Sequence, residues 1–240
     1  IMPSEVADFR MRMFNADASE GKMCGNGSRC VAKYVYDNGL TDKTTITLET
    51  LGGIKTIDMT VVDGKVTEAV VDMGEPIFRT KEIPMISDHY VFMDQGLVID
   101  DNLTYNGTAV SMGNPHFVIF VDDVDAVKLE EIGPRIENHP LFPERTNVEF
   151  VQVIDDNTVK FRVWERGSGE TWACGTGACA VTVTSIFLSK AGKKDQELNV
   201  LVKGGKLKVT YRSDNHVFLK GPATHVFDGV IEIPEEILNK

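Results

Sequence analysis

The sequence predicts an α+β fold of two pseudo-symmetric domains, each a mixed, largely antiparallel sheet around a central helix, with the active site in the cleft between them. Three observations carry this expectation. Asn15–Cys30 and Glu165–Ala180 share one layout: with Cys24 set on Cys174, Glu20 falls on Glu170, Gly25 on Gly175, Gly27 on Gly177 and Asn15 on Glu165, without a gap. In each copy Cys-Gly-x-Gly opens a run that reads as a helix. After each helix come alternating β-branched stretches, and a double glycine recurs, Gly52-Gly53 against Gly204-Gly205. Two such units would bring their helix N-termini together at an interface, a common place for a small-molecule site.

Taken in order, Phe9–Phe14 alternates as a strand with Phe9, Met11 and Met13 on one face, and a polar loop follows Asn15. A helix is expected over Gly25–Asp37, stopped by Asn38-Gly39. Thr44–Thr50, Ile54–Val62 and Lys65–Met73 read as strands, the last two joined by Asp63-Gly64, a strong hairpin signal. Glu75–Gly107 reads as connection with short strands. Strands are expected at Thr108–Met112 and His116–Val121, then a helix in Asp123–Asn138 broken near Gly133-Pro134. Thr146–Ile154 and Thr158–Glu165 follow as strands, and the second helix as Gly175–Lys190. Leu198–Lys203, Lys206–Arg212 and His216–Lys220 repeat the strand series. The division expected is residues 1–75 with Cys24 and residues 76–221 with Cys174, strands in 222–240 returning to the first unit.

Composition narrows the function. Of 240 residues, 42% are hydrophobic and 25% charged, ordinary for a soluble globular chain. A formal net charge of −11 disfavours nucleic acid and anionic membrane, since both need clustered Lys and Arg. A small zwitterionic substrate would feel little net repulsion. No apolar run approaches the roughly 18 residues that span a bilayer, so a cytoplasmic protein with four free thiols is expected.

Those thiols are Cys24, Cys30, Cys174 and Cys179. None forms a Cys-x-x-Cys pair, so a zinc site is not expected. On a helix neither Cys30 nor Cys179 shares a face with its upstream partner, and both read as helix-packing residues. Cys24 and Cys174, each at a helix N-terminus, suggest one carbon approached from two sides. Inverting an amino-acid α-carbon without an electron-sink cofactor needs one acid/base group per face, and a thiol/thiolate pair meets that need. Gly25, Gly27, Gly175 and Gly177 let backbone N–H groups approach a carboxylate without a Cβ in the way. A helix N-terminus gives only about 0.3–1 kcal/mol, against the roughly 2 kcal/mol needed to bring a thiol near pH 7. Other groups must therefore set the thiol states. His116 could accept a thiol proton; Glu165 could keep a thiol protonated or bind a substrate ammonium.

The stretches RMRMFNAD, SEGKMCGNGSRC, SMGNPHFVIF, RTNVEFV and VWERGSGETWACGTGACA resemble the diaminopimelate epimerase family in content and order, across essentially the whole chain. The resemblance implies interconversion of LL- and meso-2,6-diaminoheptanedioate in lysine and cell-wall precursor synthesis, with no metal or other cofactor. It makes Cys24 and Cys174 the acid/base pair and His116 and Glu165 the groups that tune them. It places Asn15, Asn114, Asn147, Glu165 and Arg166 on the substrate, and Gly25-Asn26 and Gly175-Thr176 around the reacting carboxylate. Arg166 suits a distal carboxylate because its guanidinium is a bidentate fork. Two departures stand out. Ala18 replaces a usual glycine, and the family's opening strand region, with Gly-Asn-Asp and further Asn and Gln substrate contacts, would precede Ile1. The rival expectations are a proline or hydroxyproline racemase of the same architecture and a non-catalytic binding protein of the fold. A homodimer could form at an exposed sheet edge.

Overall fold

The structure, a computed structural model, describes residues 1–14 and 20–232. In chain order its elements are β1 (Phe9–Arg10), α1 (Gly25–Asp37), β2 (Thr45–Thr50), β3 (Gly53–Val62), β4 (Lys65–Asp72), β5 (Gln95–Asp100), β6 (Leu103–Ser111), β7 (Pro115–Phe120), α2 (Leu129–Glu137), β8 (Asn147–Asp155), β9 (Thr158–Glu165), β10 (Gly169–Thr171), α3 (Gly175–Phe187), β11 (Glu197–Val202), β12 (Gly205–Tyr211) and β13 (Val217–Pro222).

The repeated motif is repeated in three dimensions. β1 pairs parallel with β2 across α1, and β9 pairs parallel with β11 across α3. Each parallel crossover continues into an antiparallel hairpin, β2-β3-β4 or β11-β12-β13. The last strands of the two series then pair antiparallel, Phe218 opposite Asp72 and Pro222 opposite Glu68. This seam joins both halves into one 13-stranded sheet, with β5–β8 extending the second half.

One core serves both central helices. Val31, Ala32 and Val35 of α1 and Ala178, Val181 and Val183 of α3 belong to the same buried cluster as Leu48, Val71, Val209 and Leu219. A second cluster lies under α2, with Ile132, Ile136, Phe117 and Phe150. Alternation assigns the faces: along β8, Val148 and Phe150 enter the second core while Asn147, Glu149 and Val151 face the first side.

Several sequence expectations are corrected. The first strand keeps only Phe9–Arg10 in its ladder, and Phe14 instead bridges to Glu20. β6 starts five residues earlier than expected, while β5 is one of the short strands expected within Glu75–Gly107. α2 runs through Pro134, because Leu129, Ile132 and Ile136 are buried and Gly133 lies so close to Trp164 that a Cβ would stand 2.5 Å from its ring. Tertiary packing outweighs the lost N–H. α3 ends at Phe187, where Ser189 adopts φ +53° and the N–H of Lys190 returns to the carbonyl of Ser185. Cys30 is exposed on α1 and not a packing residue, whereas Cys179 is buried. The strands expected in 222–240 do not form over 223–232, and 233–240 lie outside the described residues. The connection between halves is made earlier, by β13.

Candidate active site

Cys24 and Cys174 are the N-caps of α1 and α3, and their local geometry is nearly identical. Cys24 has φ −137°, ψ 110° and Cys174 φ −112°, ψ 115°, the extended backbone of a residue about to enter a helix. Each sulfur accepts a hydrogen bond from the N–H three residues on, Gly27 or Gly177, at 3.3 Å. Sulfur thus takes the place that a hydroxyl or carboxylate oxygen usually holds in a helix cap.

The two N-termini abut. The Asn26 amide donates to the carbonyl of Ala173 at 3.2 Å, and a Cβ on Gly175 would stand 3.3 Å from Asn26 Oδ1. Leu219 of β13 packs against both first glycines; a Cβ would meet it at 2.6 Å from Gly25 and 3.0 Å from Gly175. Only residues without a side chain let the helices approach this seam. Between them opens a cavity of about 620 Å³ bordered by Cys24, Cys174, Gly25, Asn26, Gly175 and Thr176. Asn114, Asn147, Glu165 and Arg166 complete one wall, and Lys55 and Glu75 another.

His116 does not border this cavity; it is fully buried behind it. Its Nδ1 lies 2.6 Å from Glu149 Oε1 and its Nε2 3.0 Å from Asn114 Oδ1. Asn114 in turn donates to the Thr176 hydroxyl at 3.3 Å, and that oxygen is 3.4 Å from the Cys174 sulfur. His116 therefore reaches Cys174 through two intermediates. Asn147 accepts the Arg166 N–H at 2.9 Å and donates to the Pro115 carbonyl at 2.8 Å, so its amide fixes the turn that presents Arg166. The Arg166 guanidinium donates to the Glu144 carbonyl and forms no ion pair with any described residue. Glu165 accepts the Thr171 hydroxyl. Asn15 lies outside the described residues.

Glu149 is the residue behind the site that sequence reasoning missed. A carboxyl in the middle of Asn147-Val-Glu-Phe-Val, at an inward position of an apolar strand, was the signal that could have found it. A Cβ on Gly177 would stand 2.8 Å from its Oε1, so the carboxyl lies directly beneath the first turn of α3. Burial pushes the Cys174 thiol up, and the charge of Glu165 pushes it further, against the hydrogen bonds from Thr176 and Gly177. Burial likewise raises the Glu149 carboxyl against the pull of His116. Cys24 is only partly buried.

Among the described residues no three His, Cys, Asp or Glu side chains gather as a metal site, and no helix is long and apolar enough to cross a membrane.

The sequence pattern described as Diaminopimelate epimerase matches residues 1–79 and 108–226. A diaminopimelate epimerase of Methanococcus maripaludis is 53% identical over 234 residues, covering 97% of this chain and 83% of that protein. Those of Acetivibrio thermocellus and Bacillus cereus are 52% and 50% identical over 98% and 97% of this chain, and 83% and 80% of theirs. Among solved structures, a hydroxyproline epimerase from Agrobacterium vitis superposes with a TM-score of 0.68 at 15% identity, over 89% of this chain and 67% of that one. A probable proline racemase from Agrobacterium radiobacter gives 0.67 at 15%, over 91% and 72%. At these identities the structural likeness speaks for the fold.

Proposed function

The chain belongs to the diaminopimelate epimerase family, isomerases of lysine biosynthesis, and from that premise we propose that it inverts one α-carbon of 2,6-diaminoheptanedioate by proton transfer between Cys24 and Cys174. The observation that carries this reading is the pair of matched cysteine caps, from two different helices, that line one cavity. One sulfur, as thiolate, takes the α-proton; the electron pair left on carbon is drawn into the adjacent carboxylate. The other sulfur, as thiol, gives its proton to the opposite face. After turnover the two sulfurs have exchanged protonation states. The backbone N–H groups around Gly25-Asn26 and Gly175-Thr176 would bind the carboxylate as its charge grows, and the two helix dipoles would act in the same sense.

Burial and the Glu165 carboxylate favour Cys174 as the thiol at rest, and the base role is assigned to Cys24, which is only partly buried. Arg166 would pair with the distal carboxylate, with Asn147 holding it in place and Asn114 and Asn15 adding polar contacts. The acidic Glu165 suits an ammonium. Mixed carboxylate and ammonium recognition at two centres fits a diamino diacid and leaves proline with nothing for Arg166 to hold. The reaction would supply the meso isomer for lysine and cell-wall precursors in the cytoplasm, with no cofactor. The sheet edge at β5 offers a surface for a homodimer.

Purified protein incubated with LL-diaminoheptanedioate in D2O tests the reading. It predicts meso product with deuterium at the inverted carbon and no exchange into L-proline. Exchange into proline with none into the diamino diacid would refute it.

A further inference from the structure

The buried carboxyl behind the second cysteine has no place in the two-thiol chemistry, yet the structure encloses it completely. Glu149 and His116 are both 0% exposed, and their single contact is the 2.6 Å approach of Oε1 to Nδ1. Glu149 Oε2 is buried with no hydrogen-bond partner among the described residues. An ionised carboxylate would leave a charged oxygen unpaired in the core, whereas a carboxylic acid leaves only a carbonyl lone pair. The titratable groups facing this carboxyl are His116 from β7, Glu165 from β9 and Cys174 at the N-terminus of α3.

The other end of the chain sets the direction. Asn114 presents its oxygen to His116 Nε2, which must therefore carry a proton, and its nitrogen to Thr176. The Thr176 hydroxyl, accepting from Asn114, has its own proton free for the Cys174 sulfur. If His116 instead carried its single proton on Nδ1, the Asn114 amide would have to turn over, Thr176 would donate to it, and the sulfur would lose that donor. An imidazolium would keep the Asn114 orientation but would pair with an ionised Glu149 whose Oε2 has no partner among the described residues.

We propose that Glu149 is a positioning residue for the Cys174 half of the site: as a neutral acid it donates to His116 Nδ1, fixes the Nε2–H tautomer, and so directs the Asn114–Thr176 chain onto the Cys174 sulfur. The inference deepens the two-cysteine reading and rests on it for its catalytic meaning. The class of group assigned is an uncharged carboxylic acid used as a hydrogen-bond donor.

Nitrogen-15 NMR of the histidine imidazoles, with His116 assigned by His116→Gln, reads the tautomer in the unaltered protein. Nδ1 without a proton and Nε2 with one, from pH 6 to 9, is expected. The pH midpoint for iodoacetamide labelling of Cys174, followed by peptide mapping, reads the far end. Glu149→Gln, whose amide can donate in the same place, should keep both signatures. Glu149→Ala should mix the tautomers and raise the Cys174 midpoint. Thr176→Val should raise it by about one pH unit, and adding Glu149→Ala to it should raise it no further. A proton on Nδ1 in the unaltered protein, or additive shifts in the double variant, would overturn the proposal. Neither readout needs turnover, so inactivity on diaminoheptanedioate would sink the proposed function and leave this test decisive.

Discussion

α1 and α3 begin alike and are packed differently. Both are thirteen residues long, both are capped by a cysteine, and both follow a parallel strand crossover. Yet eleven residues of α3 are buried against six of α1. α1 turns Cys30 and Tyr34 outward, while Lys33 and Asp37, paired at 2.7 Å, both bond to Val66 of β4. α3 shows no such face over most of its length, because β7, β8 and the β11–β13 series all pack on it. The difference reaches the sulfurs. Gly27 has room for a Cβ, its nearest neighbours 3.5 Å away, while at Gly177 a Cβ would strike Glu149. Backbone symmetry places two thiols about one cavity. Tighter packing buries the Cys174 sulfur and pushes its thiol pKa up, which suits the acid partner of the proposed two-thiol transfer.

Apart from removal of a cysteine, the largest effect should come from a residue with no counterpart in the first half. Arg166→Lys keeps the charge and loses the fork, and should lower kcat/KM for the diamino diacid by about 30- to 5000-fold, as expected for about 2–5 kcal/mol of a buried charge-assisted pair. Steady-state kinetics decide it, and an unchanged efficiency would place the distal carboxylate elsewhere.

The paired glycines sharpen the comparison directly. Gly177→Ala must displace Glu149 and should cost about 1–3 kcal/mol, lowering Tm by about 2–10 °C for a chain of this size. Gly27→Ala, with open space and a better helix former, should change Tm by less than about 2 °C. Equal losses in calorimetry would mean that the two caps are packed alike.

The smallest effect lies at the seam between the halves. His216 contacts Asp72 at 3.0 Å, and that hydrogen bond raises the His216 pKa above its ordinary 6.5. A raised histidine contributes fully below about pH 6.5 and loses its contribution as pH climbs through the folded value. The pair is partly exposed, so it is worth about 0.2–1 kcal/mol. His216→Gln should therefore lower Tm by about 1–3 °C at pH 5.5 and leave it unchanged at pH 8.5. A larger loss at the higher pH would contradict the assignment.

How far these features could be read in advance follows from their range along the chain. The starts of α1 and α3, the Asp63-Gly64 hairpin turn and the cysteine caps depend on neighbours in sequence, and they were legible to the residue. The β4–β13 seam joins residues some 146 apart, Phe218 and Asp72, and no local pattern marks it. The passage of α2 through Pro134 depends on Trp164 and two buried isoleucines, which propensity does not see. Within the site, Cys24, Cys174, Asn114 and Arg166 stood out by motif. Glu149 hid inside an apolar strand, where its meaning depends on His116 in the neighbouring strand.

The division of labour between the two cysteines is tested most directly by proton NMR of deuterium uptake from D2O in Cys24→Ala and Cys174→Ala, each offered LL- and meso-diaminoheptanedioate. With one sulfur gone, the other can still remove and return a proton on its own face. Each variant should lose inversion by at least about 10³-fold, the scale of a removed acid/base group. Each should still exchange the α-proton of one configuration, and the configuration should be opposite in the two variants. A single-cysteine variant that converts LL to meso at near the parent rate, or two variants that exchange the same configuration, would contradict the account.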